Sequence, residues 1–296
     1  MLTIKDALKT TTHKLTALYE PFHAQTVALW ILEKITGSSP ASLMVASNRE
    51  LPVDQQKHLT DLLSRLINQK YPLQYLLGST PFGSLDILCK EPVLIPRPET
   101  EHWVNEVIEH LKPFIDQPLT ILDMCTGSGC IGLSLAHAFK KSTVHAVDNA
   151  SHALELAHDN AAHNDITNFI VHSSDGFTQL DPSLRFDLIV SNPPYIDNEV
   201  YTTLEPVVKD WEDKNALVAD NHGLALYERF AVDVPAWLKK DSIIPSEYSR
   251  VIMEIGFDQG SSVSALFKAA GFNQIMVKKD QYEKDRTIWA AATDRL

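Results

Sequence analysis

The chain has 296 residues, of which 44% are hydrophobic and 22% are charged, proportions that exclude collagen-like, low-complexity and disordered proteins. The formal net charge of −12 argues against a protein that grips nucleic-acid phosphates over a broad surface, because such surfaces are basic. No segment approaches the roughly 20 apolar residues that span a bilayer, and the N-terminal residues show neither a signal-peptide core nor an Arg-rich transit peptide. We therefore expect a cytoplasmic protein.

Residues 1–72 predict a small helical domain. The clearest pattern is in Leu59–Ile67, where leucine or isoleucine recurs at i, i+3, i+4, i+7 and i+8, which is the spacing of one helix face. Looser apolar stripes occupy residues 4–18 and 28–35. Alternating β-branched residues are scarce here, so a helical bundle is the expected structure.

Residues 73–98 predict a linker that contains a β-hairpin. Several glycines and prolines surround two short apolar runs, Leu85–Leu88 and Val93–Ile95. Short apolar runs bounded by such residues are typical of strands joined by turns. We expect these two runs to pair with each other.

Residues 99–296 predict an α/β domain with a doubly wound, mostly parallel sheet, because helical and strand patterns alternate. Two final strands without a helix between them predict a terminal antiparallel hairpin. The predicted helices are Glu99–Leu111, Ile131–Phe139, His152–Asn164, Leu224–Leu238 and Ser261–Ala270. The predicted strands are Leu119–Asp123, Thr143–Asp148, Phe169–His172, Asp187–Ser191, Arg250–Ile255, Gln274–Val277 and Thr287–Ala292.

A glycine-containing turn leaves the first strand of this domain and enters a helix. Gly127 and Gly129 allow the backbone to approach a ligand closely, and the N–H groups at the start of the helix face that ligand. Asp148 ends the next strand, where a carboxylate can accept hydrogen bonds from ribose hydroxyls. The absence of a third glycine disfavours a dinucleotide-binding site, and the absence of a phosphate-binding lysine disfavours a P-loop.

The sequence Ser191-Asn192-Pro193-Pro194-Tyr195 follows a second buried strand. Asn192 offers a side-chain oxygen, and Pro193 has a carbonyl but no N–H, so this loop is rich in hydrogen-bond acceptors. Two acceptors can hold both hydrogens of a planar N–H₂ group, and the prolines stiffen the loop. The ring of Tyr195 can stack on a flat group and favour developing positive charge.

These two motifs together resemble amino-methyltransferases that use S-adenosylmethionine. With Pro72–Gly78 and Leu94–Glu101, the chain from about residue 70 to 292 resembles the PrmC/HemK family, the release factor glutamine methyltransferases. The resemblance implies a Rossmann-like methyltransferase domain, with the helical domain as a substrate-recognition element. It also implies transfer of a methyl group to the amide nitrogen (N5) of the glutamine in the Gly-Gly-Gln motif of class-1 peptide chain release factors.

The resemblance also implies roles for individual residues. Arg97 and Thr100 would brace the methionine end of the cofactor, and no metal is expected. The implied catalytic residues are Asn192, Pro193 and Tyr195. The implied cofactor-binding residues are Cys125, Thr126, Gly127, Ser128, Gly129, Asp148, Asp175, Gly176 and Asn192. The implied substrate-binding residues are Asn192, Pro193, Pro194 and Tyr195.

The sequence departs from the family pattern at two positions. Cys125 stands where the family usually has glycine, so we expect the turn there to be compatible with a β-carbon. Gly176 stands where an aromatic residue is common, and Phe177 is a candidate substitute for stacking on adenine.

Three alternative functions stay open at this stage. A related family that methylates a glutamine of a ribosomal protein shares the Asp123–Cys130 pattern, although the run from Arg97 to Glu101 favours the release factor branch. An adenine N6-methyltransferase is disfavoured by the net charge, and no nucleic-acid substrate or membrane partner is expected. A non-catalytic binding protein is disfavoured because Asp148 and Asn192 are both present.

Overall fold

The computed structural model describes residues 2–291, which form two compact units. The first unit runs to Gly78 and also includes Pro206–Trp211. The second unit comprises Ser79–Glu205 and the chain from Glu212 onward. The helices in chain order are α1 (Ile4–Leu15), α2 (Pro21–Thr36), α3 (Pro40–Val45), α4 (Val53–Asn68), α5 (Leu73–Leu77), α6 (Pro98–His110), α7 (Cys130–Ala138), α8 (Ser151–His163), α9 (Asn198–Tyr201), α10 (Pro206–Lys209), α11 (Lys214–Leu217), α12 (Asp220–Gly223), α13 (Ala225–Trp237) and α14 (Gly260–Ala269). The strands are β1 (Ser79–Phe82), β2 (Leu85–Leu88), β3 (Thr120–Met124), β4 (Thr143–Asp148), β5 (Phe169–Ser173), β6 (Leu188–Ser191), β7 (Val251–Glu254), β8 (Gln274–Lys279) and β9 (Asp285–Ala291).

The first unit is helical, as the sequence predicts. The apolar stripe of α4 is buried at its four leucines, while Ile67 is half-buried. Helix α1 begins at a capping box, in which the Thr3 side chain accepts the Asp6 N–H and the Asp6 carboxylate accepts the Thr3 N–H. This pairing satisfies N–H groups that the first turn of a helix otherwise leaves without a partner.

The predicted β-hairpin is present, but the predicted pairing of its strands is wrong. Strand β2 pairs antiparallel with β1, which precedes it, whereas Val93–Ile95 lies outside any strand. Gly83 opens the two-residue turn with a φ of +59°, the left-handed conformation that such turns favour. Pro92 and Pro96 flank the other run and lack the N–H that a strand ladder needs.

The second unit contains a seven-stranded sheet with the order β5-β4-β3-β6-β7-β9-β8. The first five of these are parallel, and β9 is antiparallel to both β7 and β8. The doubly wound fold and the terminal hairpin are therefore confirmed. The predicted helices and strands of this unit are present, with ends shifted by one or two residues; Ala292 lies outside the described residues.

The topology fixes where a ligand can bind. The chain passes from β3 outward to β4 and β5, and then returns to the other side of β3 as β6. Strands β3, β4, β6 and β7 are almost wholly buried, because helices cover both faces of the sheet. In open α/β sheets, ligands bind beyond the carboxyl ends of the strands at this switch point.

The chain between β6 and α13 contains four short helices that the sequence analysis did not predict. Helix α12 is a left-handed turn rather than a regular helix, since Asn221 and His222 have φ values of +56° and +55°. Helices of four residues show no apolar periodicity, so their sequence pattern is that of a loop. None of the helices in the described part of the chain is long and apolar enough to cross a membrane.

Candidate active site

A cleft opens at the switch point of the sheet and encloses about 800 Å³ of empty space, including its open mouth. Its lining residues come from the carboxyl ends of β3, β4 and β6 and from the segments that follow the strands. They include Val93, Leu94, Met124, Cys125, Gly127, Val147, Asp148, Asn149, Ala150, His152, Ala153, Ser174, Asp175, Gly176, Asn192, Pro194, Asp213, Asn215, Ala216, Leu226 and Phe230.

The turn after β3 has an unusual backbone. Cys125, Gly127 and Gly129 have φ values of +59°, +55° and +85°. The turn accommodates the β-carbon of Cys125 at a positive φ, a conformation that favours glycine and costs other residues of order 1 kcal/mol or more. Gly129 is the residue directly before α7, so the N–H groups of the helix start adjoin the turn.

Asp148 joins the end of β4 to this turn. Its Oδ2 accepts the Gly127 N–H at 2.9 Å, and its Oδ1 accepts the Ala150 N–H at 3.0 Å. A carboxylate oxygen can accept more than one hydrogen bond, so both oxygens retain capacity for a ligand. Asp148 therefore shapes the turn and retains hydrogen-bond acceptor capacity at the cleft.

Asp123, at the end of β3, supports the turn from within the protein. Its Oδ2 accepts the Thr126 hydroxyl at 2.6 Å and the Gly132 N–H at 2.9 Å. Its Oδ1 is buried without a hydrogen-bond partner among the described residues. Burial raises the pKa of Asp123 to about 7, against the lowering effect of these hydrogen bonds.

Three residues for which the family resemblance implies cofactor binding, Thr126, Ser128 and Gly129, do not line the cleft. Thr126 and Ser128 are both buried. The Ser128 carbonyl accepts a hydrogen bond from Asn160 Nδ2 at 2.9 Å, and the Asn160 Oδ1 accepts the Leu88 N–H at 2.6 Å. Asn160 thus ties the turn to the hairpin. Gly129 packs closely on α8, since a β-carbon there would lie 3.3 Å from that of Ala157.

Asp175 and Gly176 form the wall after β5. The Asp175 carboxylate accepts a hydrogen bond from Arg229 Nη1 at 2.7 Å. A β-carbon on Gly176 would lie 2.7 Å from Arg229 Nη2. The Arg229 guanidinium therefore fills the space that a larger side chain at position 176 would need. Phe177 does not supply the expected stacking face, because it is buried against Trp237 at a ring separation of 5.0 Å. Leu226 and Phe230 supply apolar cleft surface instead.

The loop after β6 brings Asn192 and Pro194 to the cleft, whereas Pro193 is buried and Tyr195 lies outside the lining. The Tyr195 hydroxyl lies 3.4 Å from Glu254 Oε1, and its carbonyl accepts a hydrogen bond from Gln259 at 3.0 Å. Gly223 is required beneath this loop, since its φ is +79° and a β-carbon would lie 2.0 Å from the Tyr195 carbonyl oxygen.

Glu254 is a functional candidate for which the sequence analysis gave no role. It ends β7, is 2% exposed, and accepts hydrogen bonds at Oε2 from Thr100 Oγ1 at 2.6 Å and from Trp103 Nε1 at 2.8 Å. Burial raises the pKa of Glu254, and the hydrogen bonds from Thr100 and Trp103 oppose that shift. The sequence does contain a signal for such a role, because Glu254 is an acidic residue at the end of an otherwise apolar strand. A carboxylate buried at such a position needs specific hydrogen-bond donors.

Arg97 and Thr100 do not line the cleft. Arg97 Nη2 contacts both Glu212 oxygens, at 2.7 and 2.6 Å, and the Glu212 side chain is almost fully buried. The next residue, Asp213, lines the cleft and lies 3.1 Å from His152 Nε2. Arg97 therefore anchors the segment that forms one cleft wall. Within the described residues, no group of three or more His, Cys, Asp or Glu side chains could hold a metal ion.

Two family profiles match the chain. The methyltransferase small domain matches residues 106–210, and the PrmC N-terminal domain matches residues 6–78. Among solved structures, a T. thermophilus 16S rRNA N2 G1207 methyltransferase in complex with AdoMet and guanosine aligns with a TM-score of 0.50 and 17% identity, over 73% of this chain and 50% of that one. At that identity the likeness concerns the fold alone. The fold and the methyltransferase profile define the protein as a methyltransferase.

Curated relatives narrow this class. A release factor glutamine methyltransferase of Fusobacterium nucleatum subsp. nucleatum is 33% identical over 261 residues, which are 88% of this chain and 71% of that protein. The one from Bacillus anthracis is 33% identical over 262 residues, which are 88% of this chain and 90% of that protein. The chain belongs to the release factor glutamine methyltransferase family.

Proposed function

We propose that this protein transfers a methyl group from S-adenosylmethionine to the side-chain amide nitrogen (N5) of the glutamine in the Gly-Gly-Gln motif of class-1 release factors. One observation carries the proposal: the turn after β3, braced by Asp148, and the acceptor-rich loop at Asn192 border a single cleft. The names of the relatives support the choice of substrate. Since release factors act on ribosomes, the proposal implies a cytoplasmic enzyme.

The residues of the cleft fit the cofactor. The carboxylate of Asp148 can accept the ribose hydroxyls, because its oxygens retain lone pairs beside their backbone hydrogen bonds. The positive-φ turn at Cys125 and Gly127 lets backbone approach a ligand closely. Leu226 and Phe230 offer apolar surface beside Asp175 for the adenine ring. When bound, S-adenosylmethionine supplies an activated methyl group on a sulfonium centre.

The chain's own contribution to the transfer is positioning. An amide nitrogen is a poor nucleophile, since its lone pair is delocalised into the carbonyl group. The side-chain oxygen of Asn192, which lines the cleft, accepts a hydrogen bond from the amide N–H₂ group, which orients the nitrogen and stabilises positive charge that develops on it. Well-oriented reactants gain up to about 7–11 kcal/mol from positioning. After the transfer, the methylated amide nitrogen carries a positive charge and is therefore acidic. It then releases one of its protons, so a strong general base is not required.

The experiment that tests this proposal uses the full chain with purified release factors and isotope-labelled S-adenosylmethionine. Mass spectrometry should locate one methyl group on the glutamine of Gly-Gly-Gln, and a release factor with that glutamine replaced by alanine should remain unlabelled. Parallel reactions contain ribosomal proteins and an adenine-containing oligonucleotide. If a ribosomal protein or the oligonucleotide were labelled while the release factors stayed unlabelled, the proposed substrate would be contradicted.

A further inference from the structure

The amide of Asn192 can face the cleft with its oxygen or with its nitrogen, and a buried network decides between them. Asn192 Nδ2 lies 3.4 Å from Thr100 Oγ1. Thr100 is 2% exposed, and its hydroxyl donates to Glu254 Oε2 at 2.6 Å. The three residues lie on different elements, namely the loop after β6, the first turn of α6 and the end of β7.

With Glu254 ionised, the count of donors in this network allows one arrangement. A hydroxyl has a single proton, and the proton of Thr100 is committed to Glu254, so Thr100 can only accept from Asn192. Asn192 must therefore direct its N–H₂ group toward Thr100. Its Oδ1, on the other branch of the planar amide, is left for the cleft that Asn192 lines.

Glu254 fixes the direction of the donors. The indole N–H of Trp103 is donor-only, and it shares Oε2 with the Thr100 hydroxyl. The Tyr195 hydroxyl donates to the other carboxylate oxygen at 3.4 Å. Glu254 thus accepts three hydrogen bonds and donates none, which is the pattern of an ionised carboxylate. A glutamine in its place would present N–H₂ to at least one of these donors.

We propose that Thr100 and Glu254 are positioning residues that hold the Asn192 side-chain oxygen toward the methyl-accepting nitrogen, an inference that rests on the proposed function. An oxygen at this point accepts from the N–H₂ of a glutamine side chain and repels the carboxylate of a glutamate. The network therefore selects a primary amide at the reaction centre. Thr100 and Glu254 act through Asn192 and need not touch the substrate.

The test compares Thr100→Val with Thr100→Ser in the full chain. Valine removes the hydroxyl at nearly constant volume, and kcat on the release factor should fall about 10-fold or more, since a preorganised acceptor loses its orientation. The Kd for S-adenosylmethionine should stay within about two-fold, and serine should restore most of kcat. Thr11→Val is the matched control, because its buried hydroxyl has no hydrogen-bond partner in residues 2–291 and its kcat should equal that of the wild type.

Two further measurements separate positioning from a merely structural role. In an Asn192→Ala background, Thr100→Val should cause no additional loss of kcat, because the interaction that it perturbs is already gone. By NMR, the side-chain amide protons of Asn192 should exchange with solvent faster in Thr100→Val than in the wild type, even without substrate. Equal exchange rates, or additive losses of kcat, would overturn the positioning role.

The proposed function and the positioning role fail in different ways. A wild-type protein that leaves the release factor unmethylated contradicts the proposed function, whereas the NMR comparison still tests the network. An active wild type together with a fully active Thr100→Val contradicts only the positioning role.

Discussion

Two loops leave neighbouring parallel strands of the same sheet, and they are built in opposite ways. The turn after β3 is shaped by its backbone, with positive φ at Cys125, Gly127 and Gly129. The loop after β6 is stiffened by prolines, and distant side chains such as Thr100 hold it in place. This difference suggests a division of labour, in which the first loop binds the cofactor and the second orients the group that is methylated.

The largest expected effect is on the rate. Asn192→Ala should lower kcat on the release factor by roughly 10²-fold or more, in line with the loss of one preorganised hydrogen-bond partner. The Kd for S-adenosylmethionine should change far less. Steady-state and single-turnover assays measure this, with Asn192→Asp as the matched variant, because an aspartate can still accept from N–H₂ and should retain more activity. A wild-type kcat in the alanine variant would remove Asn192 from the mechanism.

The second expected effect is on affinity. Asp148→Ala should weaken S-adenosylmethionine binding by roughly 1.5–3 kcal/mol, the range for hydrogen bonds to charged groups. Part of this loss comes from the turn itself, because the Gly127 and Ala150 N–H groups lose their acceptor. Asp148→Asn is an intermediate variant, since its single oxygen can keep only one of these bonds and offers fewer acceptor sites to the ribose, so its loss of affinity should be smaller than that of Asp148→Ala. Titration calorimetry that gives unchanged affinity in a folded Asp148→Ala protein would exclude Asp148 from the site.

A third prediction concerns pH. Burial raises the pKa of Asp123 to about 7, above the value of the unfolded chain, so the folded state binds the proton more tightly. The stability that this group contributes is complete at low pH and is lost as pH rises through 7. Asp123→Asn cannot ionise, and its amide oxygen can still accept from Thr126 and Gly132. The melting temperature of Asp123→Asn minus that of the wild type should increase by a few degrees from pH 5 to pH 8. A difference that stays constant with pH would contradict the raised pKa.

The smallest expected effect is at Cys125. Cys125→Gly relieves the strain of a φ of +59°, but glycine also gains conformational freedom in the unfolded chain. These contributions are each about 1 kcal/mol and oppose one another, so the melting temperature should change little. Gly127→Ala is the matched contrast, since the strain that it adds at a φ of +55° exceeds the gain from a less flexible unfolded chain, and it should lower the melting temperature. If Cys125→Gly were the more damaging of the two, the strain argument would be wrong.

Much of the fold could be predicted from the sequence because its signals are local. The apolar runs of β3, β4, β6 and β7 and the periodicity of α4 depend on neighbouring residues alone. The wrong pairing of Val93–Ile95 arose because an apolar run flanked by prolines has the composition of a strand but lacks the N–H groups that a ladder needs.

The site was predicted only in part, for a physical reason. Gly127 and Asp148 could be assigned because a glycine turn and a strand-ending carboxylate have local signatures. The supports of Asn192 could not, because Thr100 lies 92 residues away from it and Glu254 lies 154 residues from Thr100 in sequence. Hydrogen bonds between such distant residues leave no periodicity for sequence analysis to detect.

The most direct test of the division of labour measures two quantities on two variants. Calorimetry gives the Kd for S-adenosylmethionine, and a single-turnover assay at saturating cofactor gives the methyl-transfer rate to the release factor, for Asp148→Ala and for Asn192→Ala. We expect Asp148→Ala mainly to raise Kd and to retain most of the saturated rate. Asn192→Ala should keep a Kd near that of the wild type and lose about 10²-fold or more in rate. If both variants lost affinity and rate in the same proportion, the two loops would form one undivided site, which would contradict the division of labour.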